Sequence, residues 1–244
     1  MRIFFFGIYK YILNLEQNMD KTKKNTTKTY VGIAIFSALS FVVAWVCNII
    51  PPVAGFLSLD VKDAVIAMAS FIFGPISAVI ISFIAAFIEF LTFSTTGWYG
   101  FVMNFASSAV FSLTASLIYR SKKSLNTALI GFLCAVVATT GVMLLLNIFV
   151  TPLYLVQFIG MPETVANQTV TDMLAKVLLP FNFAKSLLNS ASAMLLYKPL
   201  TEALRRARLI DGGKKIAFNK NSVIILIAGG AALIISLVIL LIIW

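Results

Sequence analysis

Three side chains late in the sequence share one helical face: Asn182, Lys185 and Asn189, spaced i, i+3 and i+7. Two amides and one cation offer both donors and acceptors, which suits a polar solute, an anionic one included. The flanking sequence is apolar, and an ionisable group within an apolar stretch is costly enough to be a functional candidate. The competing reading is that the amides join helices and the lysine snorkels to a surface. Asn147, just before Thr151-Pro152-Leu153-Tyr154, is a candidate for the same cavity or for an interhelical hydrogen bond. Asp60, Lys62 and Asp63 cluster before another apolar run, as a ligand-facing mouth or as a solvated helix start. Glu89 is placed to pair with Lys185, to bind a cation or to reach an interface, and Asn104 is similar in position. Phe93, Trp98, Tyr99, Tyr154, Phe181 and Phe183 gather near the same ends of their segments, as an interfacial belt or as a stacking surface for a planar ligand.

Composition dictates the elements that must carry these groups. Of 244 residues 60% are hydrophobic and 11% charged, and the mean hydropathy is +0.99. A soluble domain carries roughly 25% charged residues, so a soluble enzyme and a disordered chain are both excluded. The chain has no histidine, which removes His bases, His metal ligands and His triads. Cys47 and Cys134 lie in apolar runs and read as buried thiols; two thiols alone build neither a zinc nor an iron–sulfur site. No metal site is expected. There is no GxxxxGK[ST] sequence, so uphill movement of a solute would draw its energy from a partner or an ion.

Apolar runs place spans at about 30–50, 76–93, 99–119, 125–150, 180–203 and 222–244, with a shorter run at 64–73 that crosses only if 60–63 form its first turn. Gly74-Pro75 makes a tight turn with proline opening the next helix. Residues 151–172, with two prolines and a glycine, read as an extended loop, and 173–179 as a short helix. All but three of the 19 Lys and Arg fall in three places: the first 28 residues, the segment 120–123, and 198–220. The positive-inside rule then puts the N-terminus in the cytoplasm, and seven crossings make the count consistent. Residues 1–18 read as an interfacial helix or as the product of a start before Met19. The basic balance, +10, reports membrane orientation and not nucleic-acid binding.

From about 29 to 209 the chain resembles the substrate-binding S component of energy-coupling-factor (ECF) vitamin transporters. The segments that carry this are Ala34-x-x-x-Ala38, Leu59-Asp60-Val61-Lys62-Asp63 leading to Phe73-Gly74-Pro75, Thr96-Gly97 with Met103-Asn104-Phe105, Ile118-Tyr119-Arg120, Asn147 with Thr151-Pro152-Leu153-Tyr154, and Leu179-Pro180-Phe181-Asn182-Phe183-Ala184-Lys185 with Tyr197-Lys198-Pro199-Leu200. The riboflavin-specific subtype is the most similar. The resemblance implies a six-helix, all-α membrane subunit that captures a vitamin outside the cell. It implies partners: a transmembrane coupling subunit, docked on the Ala34 and Ala38 face, and two ATPases. It also implies that the subunit topples in the membrane to deliver its ligand, and that Asn147, Asn182 and Lys185 contact a flavin. Two features depart from the family. Helix three carries Ser82, Ala85 and Ala86 before Glu89, and an extra apolar segment, 222–244, follows a basic linker at 210–221.

The resulting expectation is an all-α integral membrane protein: a six-helix bundle plus a C-terminal transmembrane helix, with no catalytic site and no cofactor. It binds riboflavin or a flavin phosphate through Asn147, Asn182, Lys185, Asn189, Asp60, Asn104, Glu89 and Tyr154. Lys185 suits either a phosphate or the carbonyl edge of the ring. The alternatives are an S component for another vitamin or precursor, an ion-coupled carrier working alone, a membrane enzyme and an assembly protein. The carrier predicts buried carboxylates and broken helices; the enzyme lacks clustered acids.

Overall fold

A computed structural model of the chain describes residues 26–206 and 220–243. The expectations for 1–18, and nearly all of the basic linker, lie outside the described residues. The protein is all-α: α1 (Thr26–Cys47), then α2 (Lys62–Phe73), α3 (Pro75–Thr92), α4 (Gly97–Arg120), α5 (Leu125–Gln157), α6 (Glu163–Met173), a π-helical turn (Leu174–Leu178), α7 (Leu179–Arg206) and α8 (Lys220–Ile243). Four of these, α1, α3, α4 and α5, are long and apolar enough to cross a membrane by themselves. In α8 the apolar stretch Ile227–Ile243 extends the pattern. The outward faces of α1 and α5 carry Trp45, Val46, Leu133 and Val137, fully in keeping with contact with hydrocarbon.

The short run expected at 64–73 becomes α2, and its brevity shapes the molecule. Twelve residues rise about 18 Å, too little for a crossing, whereas the 18 residues of α3 rise about 27 Å. Both helices meet at Gly74. Its φ of 101° and ψ of 170° lie in a region open essentially to glycine only, and Pro75 opens α3 as its first residue. The start of α2 therefore stops level with Glu89 on α3, short of the end of the bundle. Every residue from Lys62 to Ser70 is buried. Residues 48–61 fill the remaining depth. They fold back through a turn in which Val53 and Leu57 exchange two backbone hydrogen bonds of 3.0 Å, with Gly55 at φ 81°. Val53, Leu57 and Asp60 are the buried residues that anchor this segment to the bundle, while 48–52, 54, 55 and 58 are exposed.

Two expectations need correction. Residues 151–172 are not an extended loop. Helix α5 continues through Pro152 to Gln157, and α6 follows Gly160 and Pro162, so only 158–162 are irregular. A proline inside a helix forfeits one hydrogen bond, and packing of Tyr154 and Leu155 into the core compensates. Helix α6 is polar overall yet buries Ala166 and Val170, an i, i+4 stripe. The expected short helix at 173–179 is the π-helical turn that links α6 to α7. The thiols are the second correction: Cys47 is half-buried and Cys134 is exposed on α5. An apolar run in a membrane helix identifies hydrocarbon contact as readily as burial.

Helix α8 packs along α7, where Gly229 lets the two backbones approach: a β-carbon there would lie 3.4 Å from Met194 Cβ and 3.6 Å from the Ala191 carbonyl. Its far end reaches the cluster formed by Tyr154, Leu178 and Phe181, into which Leu240 is buried. Ala34 and Ala38 lie together on the exposed side of α1.

Candidate ligand-binding site

Because α2 stops short, a cavity of about 640 Å³, part of it open to the surroundings, forms above it between α4, α5, α7 and the 48–61 segment. Helix α4 contributes Tyr99, Gly100, Met103, Asn104 and Ser107, with Thr96 at its start; α5 contributes Met143, Asn147, Val150, Thr151 and Tyr154; α7 contributes Phe181, Asn182 and Lys185; and Phe56, Leu57 and Ser58 roof it. Of the residues expected in the site, Asn104, Asn147, Tyr154, Asn182 and Lys185 line this cavity. Their types match a ligand pocket, which is mostly apolar with a few convergent polar groups.

The amides are fixed by bonds behind the wall. Asn147 Nδ2 donates 2.7 Å to the Met143 carbonyl, and its Oδ1 accepts from Thr151 Oγ1 at 2.8 Å. Asn182 Nδ2 donates 2.7 Å to the Leu178 carbonyl, one turn back. Asn104 Nδ2 donates 3.2 Å to Glu89 Oε2. In each case the amide nitrogen is engaged by protein, so the oxygen side of Asn104 and of Asn182 is left for a ligand. Lys185, 8% exposed, donates from Nζ 2.8 Å to Asp60 Oδ2 and 2.9 Å to the Ser58 carbonyl. The lysine thus pins the roof of the cavity and keeps one N–H in reserve.

The structure places Asp60, Glu89 and Asn189 behind the wall and not on it. Asp60 is the counter-ion of Lys185 and also accepts from the backbone N–H of Lys62 at 3.2 Å. Asn189 is wholly buried. It accepts from Ala64 N at 2.9 Å and donates to the carbonyls of Asp60, 3.0 Å, and Lys185, 3.1 Å. It supplies the side-chain cap that Val61, at the N-cap of α2, does not make. Two turns of α7 separate Asn182 from Asn189, which is enough to move the second below the cavity floor. Glu89 does not pair with Lys185. It takes both carboxylate oxygens to Lys62 Nζ, at 2.7 and 2.6 Å, in a pair whose members are 1% and 3% exposed. Ser108 Oγ donates to Asp63 Oδ1 alongside.

Several cavity residues were not singled out as ligand-facing from sequence. Ser58, Met103, Ser107 and Met143 carry no signal that separates them from helix packing. Tyr99 was visible only as part of an aromatic group. It packs edge-on to Tyr154, centroids 5.9 Å apart, and its hydroxyl donates 2.5 Å to Gln157 Oε1. Phe56 approaches Tyr154 from the roof at 6.0 Å. Aromatic rings therefore flank the amide wall.

A multi-pass helical bundle with a cavity walled by amides and aromatic rings at one end is the architecture of a solute-binding membrane protein. The chain belongs to the family described as ECF transporter, substrate-specific component, whose profile matches residues 28–197. It is 32% identical over 195 residues to the riboflavin transporter RibU of Staphylococcus aureus (strain TCH60), covering 80% of this chain and 96% of that protein. It is 28% identical over 218 residues to the riboflavin transporter RibU of Streptococcus thermophilus (strain ATCC BAA-250 / LMG 18311), covering 84% and 99%. A solved structure described as the S component of a bacterial ECF transporter superposes with a TM-score of 0.59 at 30% identity, covering 74% of this chain and 99% of that one. The family match stops before α8, in keeping with the extra helix read from the sequence.

Proposed function

We propose that this chain is the riboflavin-capturing subunit of an ECF transporter, and that riboflavin occupies the cavity above α2. The observation that carries this reading is the cavity wall itself: amides at 104, 147 and 182 and one ammonium, flanked by Phe56, Tyr99, Tyr154 and Phe181. Riboflavin combines a planar three-ring system, an imide edge and a hydroxylated chain. Rings cover its faces, and amides and hydroxyls bond its edge and chain. Both curated relatives bear the name riboflavin transporter, which supports the same ligand. Among flavins the neutral vitamin fits better than its phosphate, because Asp60 already neutralises Lys185 and no spare cation faces the cavity among the described residues.

The cavity end faces outward in this reading, with the N-terminus and the basic end of the bundle cytoplasmic. Lys and Arg asymmetry supports it. The partners are a membrane coupling subunit, docked on the exposed Ala34 and Ala38 side of α1, and two ATPases that supply the energy. The chain itself catalyses no reaction.

The test is riboflavin fluorescence in the presence of the purified full chain. The expected result is saturable quenching at nanomolar ligand, weakened at least tenfold by Lys185→Ala. A folded, monodisperse wild-type sample that leaves the fluorescence unchanged overturns the assignment.

A further inference from the structure

The buried Lys62–Glu89 pair touches no ligand-facing surface except through one residue. Glu89 accepts from Lys62 Nζ on both oxygens, so it is ionised and can only accept. Its one further bond is to Asn104 Nδ2, 3.2 Å away, and Asn104 lines the cavity. The orientation of this amide is therefore dictated chemically: the NH2 group must face the carboxylate, and the oxygen faces the other way. Donation to a carboxylate also polarises the amide and makes its oxygen a stronger acceptor. Asn182 donates only to a neutral carbonyl, and Asn147 Oδ1 is already used by Thr151. Among the three cavity amides, Asn104 is thus the one whose oxygen both lacks a protein donor and is polarised by a carboxylate.

We propose that Lys62 and Glu89 are positioning residues that hold the Asn104 oxygen toward the cavity, and that this oxygen selects ligands presenting an N–H donor there. This rests on the riboflavin reading, in which the donor is the imide N–H of the ring. A buried pair contributes little net stability over apolar residues of the same volume, so stability alone does not account for it, whereas orienting the amide does.

The experiment measures dissociation constants of riboflavin and 3-methylriboflavin, which lacks that N–H, for the detergent-purified full chain and three variants. Glu89→Gln supplies an amide that can donate to Asn104 and turn it over. Lys62→Met/Glu89→Met removes the whole pair without stranding a charge, and so covers a failure of the single variant to fold. Asn104→Leu removes the acceptor. The wild type is expected to prefer riboflavin at least tenfold, and the preference should fall to about threefold or less in Glu89→Gln or the double variant, as in Asn104→Leu. A folded pair variant that keeps the wild-type preference overturns the proposal. So does a preference that survives in Asn104→Leu, which would mean the methyl group is excluded by bulk alone. Absence of riboflavin binding by the wild type is a different result, and it sinks the ligand assignment itself.

Discussion

Replacing Lys185 by methionine isolates the energetics of the contact that pins the cavity roof. The substitution keeps the stem of the side chain and deletes the ammonium, with its bonds of 2.8 Å to Asp60 Oδ2 and 2.9 Å to the Ser58 carbonyl. Asp60 is 5% exposed and would be left with one hydrogen bond, from Lys62 N. Removing one member of a buried pair costs about 3–5 kcal/mol. At about 2–4 °C per kcal/mol for a chain of this size, the melting temperature should fall by about 6–20 °C. Asp60→Asn strands less: its amide oxygen still accepts from Lys62 N, and the ammonium keeps Ser58, so the loss is about 1–3 kcal/mol. In the double variant no charge is stranded. Its loss should be smaller than the sum of the single losses by about 2 kcal/mol or more. The assay is thermal unfolding of the ligand-free protein in detergent for the four members of the cycle. Single losses that add to the double within about 0.5 kcal/mol would refute the reasoning, because they would mean that the two charges do not meet in the folded protein.

The remaining expectations follow from neighbouring contacts. Flavin mononucleotide carries about −1.5 to −2 charge on its phosphate, and with Lys185 already paired it should compete for the site at least tenfold more weakly than riboflavin; equal or tighter competition would show that Lys185 leaves Asp60 for the ligand. Asn189→Leu strands the Ala64 N–H and the Asp60 carbonyl, so thermal unfolding should show a loss of about 2–4 kcal/mol, and an unchanged melting temperature would remove Asn189 as the cap of α2. Gly229→Leu forces α8 away from Met194 and the Ala191 carbonyl at a cost of about 1–3 kcal/mol, yet it should leave riboflavin affinity within about threefold, since no α8 residue lines the cavity.

The sequence carried the helical elements well because membrane spans are long and their apolar runs are hard to mistake. Proline misled at 152, where a helix already held by tertiary packing absorbs the lost bond, and the polar composition of α6 concealed its two inward residues. The shared face of Asn182, Lys185 and Asn189 was legible from spacing alone. Spacing gives direction around a helix axis and not depth along it, so it could not show that Asn182 meets the cavity while Asn189 meets α2. Lys62 and Asp63 were harder still. Their local sequence is that of a solvated helix start. Only the difference in length between α2 and α3, followed by the packing of α4 with Ser108 and Asn104, draws them under the cavity floor. No pattern within ten residues of Lys62 contains that information.

These placements determine what kind of ligand the site can hold. Five ionisable groups lie within or beneath the cavity, yet Lys185 is matched by Asp60 and Lys62 by Glu89, and Asp63 is held by a serine hydroxyl. A charged solute would have to surrender its hydration to a site with no unmatched cation, and no carboxylate among those lining it; such desolvation costs several kcal/mol per ion. A neutral solute pays no such penalty. It meets amide groups already oriented by bonds to the protein, so little side-chain freedom is lost on binding, and it meets aromatic faces that bury its rings. The buried charges therefore favour a neutral planar molecule by fixing the directions of uncharged groups, and this is why a conservative change behind the wall, Glu89→Gln, is expected to alter selectivity without touching the ligand.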